Sequence, residues 1–233
     1  MIINDLNTVI NRMDSQSIPV LEPGIIPYQD AFDFQLALIE QIYEKDLKGI
    51  ILLLEHPSVI TTGSNSNTKN LLTTVSSLKD LGIELIVSNR GGDNTLHGPG
   101  QIVCYPVFNL KFFGKDLNLF VRNLEQVIIN TIIPFGLNGK RVKKHRGIFI
   151  EDKKLASIGL KVRKWISMHG FSLNVNIDLS YFEHIVACGL KDYPQTSLSS
   201  LLKKDIMIND VKEHILKSFE TVFNISTEKI HLK

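Results

Sequence analysis

Cysteine is scarce in this 233-residue chain: Cys104 and Cys188 are the only two, and they form no CxxC pair. That excludes a disulfide framework and a thiolate zinc site, and it fits a reducing compartment. No run approaches the roughly 20 uncharged apolar residues that a membrane-spanning helix needs. Residues 1–11 lack the basic start and apolar block of a secretory signal, and with Asp5 and no arginine they do not read as a transit peptide. An excess of one charge is also missing. Lys and Arg total 26 against 24 Asp and Glu, a formal net of +2, so no global field argues for nucleic acid. The GxxxxGK[ST], HExxH, GxSxG and EF-hand patterns do not occur. Ser-x-x-Lys matches, such as those at Ser76 and Ser200, stand without companion motifs and carry no weight. The seven histidines include no pair at helical metal-ligand spacing, so no metal site is expected. These absences describe a soluble, cytoplasmic protein.

What is there is a core. Apolar residues make up 43% of the chain, enough to exclude disorder, and no repeat or low-complexity linker divides it. Residues 1–18 read as a loose N-terminal extension and 19–233 as a single domain. Over residues 27–46, Tyr28, Ala31, Phe32, Gln35, Leu36, Ile39, Ile42 and Tyr43 recur at helical spacing. The runs 50–54, 84–88 and 102–108 read as strands, the last interrupted by Pro106. Residues 116–133 form a second amphipathic helix. Strand-like pieces follow at 148–151, 155–162, 166–168 and 171–175, and Asp210 with Glu213 suits a capping box for a final helix through Phe223. Strands in consecutive runs between helices indicate an α+β fold, a mixed β-sheet flanked by helices.

One segment stands apart: Arg90-Gly91-Gly92-Asp93-Asn94-Thr95-Leu96-His97-Gly98-Pro99-Gly100-Gln101. Its glycines permit positive φ and close approach of a ligand to the main chain. Composition leaves two readings open, a long hairpin loop or a wall of backbone N–H groups around an acyl carbonyl. Cys188 is equally two-sided. It is either a small core hydrophobe among Val186, Ala187 and Leu190, or a strand-end thiol facing a pocket. Residues 140–146 form the densest basic run, either a solvated loop or a rim for an acidic partner.

Taken together, these segments resemble the signature of the LipB family, the lipoyl(octanoyl) transferases. The blocks that carry the resemblance are Arg90-Gly91-Gly92, Thr95, His97-Gly98-Pro99-Gly100-Gln101 and Tyr105-Pro106, followed by Lys154 with Ile158-Gly159. Met168-His169-Gly170-Phe171, Leu173-Asn174, Asp178-Leu179, Tyr181-Phe182 and Cys188-Gly189 follow in the same order, so the resemblance spans residues 20–202. The chain departs from the family pattern at Ser64, Asp93, Leu96 and Ala187, where arginine, glutamine, an aromatic and proline are usual.

The resemblance implies the fold of the biotin and lipoate protein ligase catalytic domain. It implies transfer of an octanoyl group from octanoyl-acyl carrier protein to a lysine of a lipoyl domain, in 2-oxo-acid dehydrogenase E2 subunits or the glycine cleavage H protein. It implies an acyl-thioester on Cys188, with Lys154 lowering the thiol pKa and acting as general acid and base. The substrate-binding residues carried over are Arg90, Gly91, Gly92, Asp93, Asn94, Thr95, Leu96, His97, Ser157, Ile158, Gly159, Gly170, Phe171 and Ser172. An apolar tunnel for the acyl tail is expected along Leu96, Ile158, Phe171 and Leu173. No cofactor, metal, nucleic acid or membrane is expected, and the chain is expected to be a monomer. Two rivals remain open: an ATP-dependent lipoate ligase, which needs no cysteine nucleophile, and a binding module that forms no acyl-enzyme.

Overall fold

The apolar runs at 50–54 and 102–108 become strands covered on both faces, which is why they read as continuous rather than alternating. The structure, a computed structural model, describes residues 6–13 and 16–231. Its first elements are α1 (Leu6–Arg12), β1 (Ile18–Ile25), α2 (Tyr28–Glu44) and β2 (Gly49–Glu55). Next come β3 (Val59–Thr62), α3 (Val75–Asp80), β4 (Glu84–Val87) and β5 (Thr95–His97). Then follow β6 (Gln101–Phe108), α4 (Leu117–Ile132), β7 (Lys140–Val142), β8 (His145–Ile150), β9 (Lys153–Arg163) and β10 (Ile166–Asn174). The described chain ends with α5 (Leu198–Leu202), α6 (Ile208–Phe223) and β11 (Thr227–Ile230).

An eight-stranded sheet runs in the order β11-β1-β2-β6-β10-β9-β8-β7, and a three-stranded sheet in the order β4-β3-β5. The large sheet is mixed: β1 is parallel to β11 and β2, whereas β6, β10, β9 and β8 pair antiparallel. Side chains alternate between two cores. Ile51, Leu53, Ile102, Cys104, Phe171 and Leu173 point to one, where α4 and α6 contribute Phe120, Leu124, Val127, Ile215 and Phe219. Ile50, Leu52, Leu54, Val103, Tyr105 and Val107 point to the other, under Phe34, Leu38, Ile39 and Ile42 of α2. The α+β architecture expected from the sequence is present: a sheet between two helical layers.

Several local readings change. Within the stretch read as a loose extension, residues 6–12 form α1, and Val9, Ile10 and Met13 are buried against α2; residues 1–5 and 14–15 lie outside the described residues. On α2, Phe34 and Leu38 complete the buried face, whereas Tyr43 is 46% exposed and lies under the Lys164 ammonium, 4.3 Å from its ring centroid. The pieces at 166–168 and 171–175 are one strand, β10, because Ile166 to Leu173 pair with β9 without interruption. Asp210 and Glu213 form no capping box. The last helix starts earlier, with Met207 at its N-cap, and Glu213 meets Lys229 at 2.6 Å instead.

Pro106 sits inside β6, where a missing N–H would leave a gap in the ladder. The Ser167 hydroxyl bridges it, donating to Pro106 O at 2.6 Å and accepting from Phe108 N–H at 2.9 Å. Gly170 on the neighbouring strand leaves room for the ring: a Cβ there would stand 2.7 Å from Pro106 Cδ and collide with the Cys104 carbonyl. Among the described residues no helix is long and apolar enough to cross a membrane.

Candidate active site

Between the two sheets lies a cavity of about 450 Å³. Strand β9 builds one wall through a bulge. Ile148 pairs with Ala156 and Phe149 pairs with Lys154, so Leu155 is an extra residue on β9. In a regular strand, residues 154 and 157 would face opposite ways. The bulge restores agreement, and both Lys154 and Ser157 line the cavity. Segment 194–196 clamps the lysine backbone: its N–H donates to Pro194 O at 2.8 Å, and its carbonyl accepts from Thr196 N–H at 2.9 Å. The Lys154 side chain is 2% exposed, with its ammonium 5.6 Å from the Phe149 ring centroid. Its stem passes Gly147, where φ is +118° and a Cβ would stand 3.1 Å from Lys154 Cε.

Cys188 faces this wall from a short 3-10 turn, Ala187–Gly189, not from a strand end as the sequence suggested. Its backbone is left-handed, φ 55° and ψ 18°, and its N–H donates to Asn94 O at 2.7 Å. The sulfur lies 3.7 Å from Ser157 Oγ. Burial pushes the thiol pKa up. The adjacent Lys154 ammonium, the Ser157 hydroxyl and the charge of Arg90 outweigh it, and the net shift is downward. Cys104 is the contrast. It is fully buried in the core with no charge to help it, and burial holds its pKa well above the usual thiol range.

Arg90 is a second buried cation. Nε donates to Thr61 Oγ1 at 2.9 Å, and the terminal nitrogens donate to Thr61 O at 2.5 Å and Gly91 O at 3.2 Å. Among the described residues neither Arg90 nor Lys154 forms an ion pair with a carboxylate. Two buried cations facing one thiol, neither in an ion pair with a carboxylate, make a site that favours anions.

The deep end of the cavity is aromatic and neutral. Tyr28 stacks between His97 and His169 at centroid separations of 6.1 and 6.5 Å. His97 Nδ1 donates to Gln101 Oε1 at 2.7 Å, because the Gln101 amide NH2 is engaged with Leu96 O and Asn174 Oδ1. Burial holds His97 well below its ordinary pKa and His169 at about 3, so both are neutral near pH 7. His56 behind them, at about 4, bonds Tyr105 OH at 2.8 Å. Among the described residues no cluster of three or more His, Cys, Asp or Glu side chains could hold a metal ion.

Arg90, Gly91, Gly92, Asp93, Thr95, His97, Ser157, Ile158, Gly159, Gly170, Phe171 and Ser172 all line the cavity with Lys154 and Cys188. Asn94 and Leu96 do not. Leu96 is packed in a separate cluster with Ile60, Leu78 and Ile83, and Asn94 acts through its carbonyl on Cys188. Leu173 likewise belongs to the core beneath the sheet, so Ile158 and Phe171 are the members of the expected tunnel that reach the cavity. The glycine segment is a packing device more than a wall of free donors: Gly91 N–H is held by Leu160 O at 3.0 Å and Asn94 N–H by the Asp93 carboxylate at 2.7 Å. Sequence reasoning missed Gly147, Thr61 and Tyr28 as site residues. Tyr28 had a signal, as the first polar-tipped ring on the buried face of its helix.

Residues 27–220 match the family described as the lipoyl protein ligase A/B catalytic domain. The chain is 39% identical over 214 residues to an octanoyltransferase of Caldanaerobacter subterraneus, covering 91% of this chain and 93% of that one. It is 42% identical over 215 residues to an octanoyltransferase of a Thermoanaerobacter species, with the same coverage of 91% and 93%. Its fold matches the bipartite lipoate protein ligase of Thermoplasma acidophilum at 16% identity and a TM-score of 0.71, covering 93% of this chain and 88% of that one. A biotin protein ligase of Aquifex aeolicus superposes more loosely, at 15% identity and a TM-score of 0.54, covering 89% and 70%. With the ligase fold and these relatives in agreement, the chain belongs to the lipoyl protein ligase A/B family, among its octanoyltransferases, and is an acyltransferase.

Proposed function

We propose that this acyltransferase moves an octanoyl group from octanoyl-acyl carrier protein to the lysine of a lipoyl domain through a thioester on Cys188. The observation that carries this reading is the thiol at the cavity wall, with a pKa lowered by the ammonium of Lys154 and the hydroxyl of Ser157. An ordinary cysteine, with pKa ~8.5, offers only a few per cent thiolate at neutral pH. A stabilised thiolate is both nucleophile and leaving group.

In the first half-reaction the Cys188 thiolate attacks the donor's thioester carbonyl. The oxyanion collapses, the carrier's C–S bond breaks, and the departing thiolate takes a proton from the Lys154 ammonium. Lys154 is then a neutral amine beside the acyl-cysteine. In the second half-reaction the acceptor lysine's neutral amine attacks the Cys188 thioester. As the C–N bond forms, Lys154 takes the attacking amine's proton, the C–S bond breaks, and the thiolate and ammonium return to their starting states. The donor thioester is already activated, so no nucleotide is consumed.

The outer end of the cavity supports an acidic donor. The basic run divides: Lys140 pairs with Asp152 at 3.6 Å and Arg141 with Glu125 at 3.0 Å, whereas Lys144, His145 and Arg146 line the cavity beside Leu117 of α4. Acceptors in this reading are lipoyl domains of E2 subunits and the glycine cleavage H protein. The chain from residue 19 on, with α1 and the start of β1 packed into the same core, acts as one catalytic domain, monomeric and cytoplasmic.

The test is intact mass after mixing with octanoyl-carrier protein before any acceptor is added. The expected product is one octanoyl adduct, retained in Cys104→Ser and lost in Cys188→Ser. Transfer that requires ATP and survives Cys188→Ala would replace this reading with an adenylating ligase. Complex formation without an adduct would replace it with a binding module.

A further inference from the structure

We infer that Asp93 is the positioning residue for the nucleophile, closing a ring of hydrogen bonds around the Cys188 turn. This deepens the proposed chemistry and rests on Cys188 as the nucleophile.

A left-handed backbone at a residue with a Cβ is a strained conformation that its surroundings must impose. No side chain caps the Cys188 turn. Two main-chain carbonyls hold it instead: Asn94 O accepts from Cys188 N–H at 2.7 Å, and Asn70 O accepts from Val186 N–H at 2.8 Å. These carbonyls belong to different stretches of chain. Asn70 ends the 3-10 turn Thr68–Asn70, whereas Asn94 immediately precedes β5. Left alone, the two grips could move independently.

The Asp93 carboxylate joins them. Oδ1 accepts from Asn94 N–H at 2.7 Å and from Asn67 N–H at 3.1 Å, and Oδ2 accepts from the Asn70 side-chain amide. Asn67 in turn caps the 3-10 turn, accepting from Lys69 N–H at 3.0 Å. The circuit runs from Asp93 through Asn70 and Val186 to Cys188, and back through Asn94. It closes against the turn itself, since a Cβ on Gly189 would stand 2.9 Å from Asp93 Oδ2 and 3.4 Å from Asn70 Nδ2. Three donors occupy the carboxylate, and Arg90 lies within its field, so its negative charge is committed to structure rather than offered to the thiol. The sulfur is thereby held at 3.7 Å from Ser157 Oγ and beside Lys154.

The experiment uses the full chain and two readouts: the pH dependence of Cys188 alkylation by iodoacetamide, and steady-state kinetics with an octanoyl thioester. Asp93→Ala opens the ring; it is expected to move the alkylation midpoint to higher pH and to lower kcat by about 10- to 100-fold at nearly unchanged KM. Asn70→Ala opens the same ring and is expected to do likewise. The double variant should be no worse than the weaker single, because both break one device. Asp93→Asn keeps an oxygen for the two backbone N–H groups, and a turned Asn70 amide can meet the new NH2. It is expected to rescue both readouts to within about three-fold of the parent, on the scale of one modest hydrogen bond.

An unchanged alkylation profile and kcat in Asp93→Ala would overturn the assignment, as would losses that multiply in the double variant. Should Asp93→Ala fail to fold, the same two readouts in Asn70→Ala decide: a shift supports the ring, and an unshifted profile overturns it. Alkylation does not involve acyl transfer. A parent protein that alkylates normally but takes no octanoyl group would therefore count against the proposed reaction and leave the ring intact.

Discussion

Ser157 Oγ approaches Cys188 Sγ to 3.7 Å from the same strand that delivers Lys154, and only the bulge at Leu155 lets both reach one sulfur. The hydroxyl and the ammonium therefore act on the thiolate as a pair. Removing the hydroxyl with Ser157→Ala leaves the lysine in place and deletes one hydrogen bond, worth about 1 kcal/mol. The expected outcome is a loss of roughly five-fold in the rate of enzyme acylation and a small upward move of the alkylation midpoint. Acylation measured by rapid quench against pH checks this; an unchanged midpoint would show that the hydroxyl plays no part.

Lys154→Met removes the charge and keeps most of the volume. Because the ammonium favours the thiolate, its loss raises the Cys188 pKa, by about a unit or more for a charge this close. Alkylation should then need higher pH, and both half-reactions should slow. Lys154→Arg should restore the thiolate but not the second half-reaction, since guanidinium does not give up its proton in this range. Lys153→Met, on the exposed neighbour, is the control.

The buried histidines make stability pH-dependent. His56 and His169 have folded pKa values of about 4 and about 3, below the ~6.5 of an unfolded histidine. The unfolded chain therefore binds more protons as pH falls. Stability is full above about pH 6.5 and is lost on acidification through the folded values. At pH 5 each histidine should cost roughly 2 kcal/mol relative to pH 7. Urea midpoints at the two pH values measure it, and His169→Asn should flatten the difference by about a third, since His97, also held well below its ordinary pKa, contributes beside His56.

Charge reversal at the outer rim separates donors. Lys144→Glu with Arg146→Glu should raise KM for the carrier-bound substrate several-fold, more strongly at low salt, and leave a small octanoyl thioester nearly unaffected. Lys143→Glu should do less, because Lys143 does not line the cavity. Equal losses with both donors would place the damage in the fold.

Much of this was legible in the sequence. The buried strands announced themselves at 50–54 and 102–108 because both faces of the central sheet are covered, and the helix read over 116–133 is present as α4, with Asp116 as its N-cap. Cys188, Lys154 and the glycine segment could be assembled only through family resemblance, since 34 residues separate lysine from cysteine and no local pattern links them. The bulge at Leu155 left no sequence signal. Without it the periodicity starts the strand one residue after Lys154 and gives the lysine to a turn. β1, β3 and β5 were missed for a related reason: they are short, or carry Pro19, Pro23 and Gly24, and their pairing is decided by distant partners. Leu96 was misplaced because a cavity wall and a core both favour leucine, and only the neighbours Ile60 and Leu78 distinguish them.

The two members of the proposed thiolate–ammonium pair are held by different sheets. Lys154 rides on the eight-stranded sheet, whereas the Cys188 turn is gripped by residues flanking the three-stranded one. The smaller sheet has its own modest core around Ile60, Leu78 and Leu96, and its outer strand leaves Val87 88% exposed. Elements of that kind open with less free energy than the centre of a domain. Warming should therefore part thiol from ammonium before the large sheet melts. Catalysis would be lost while the far-ultraviolet signal of the fold persists, and it would return on cooling.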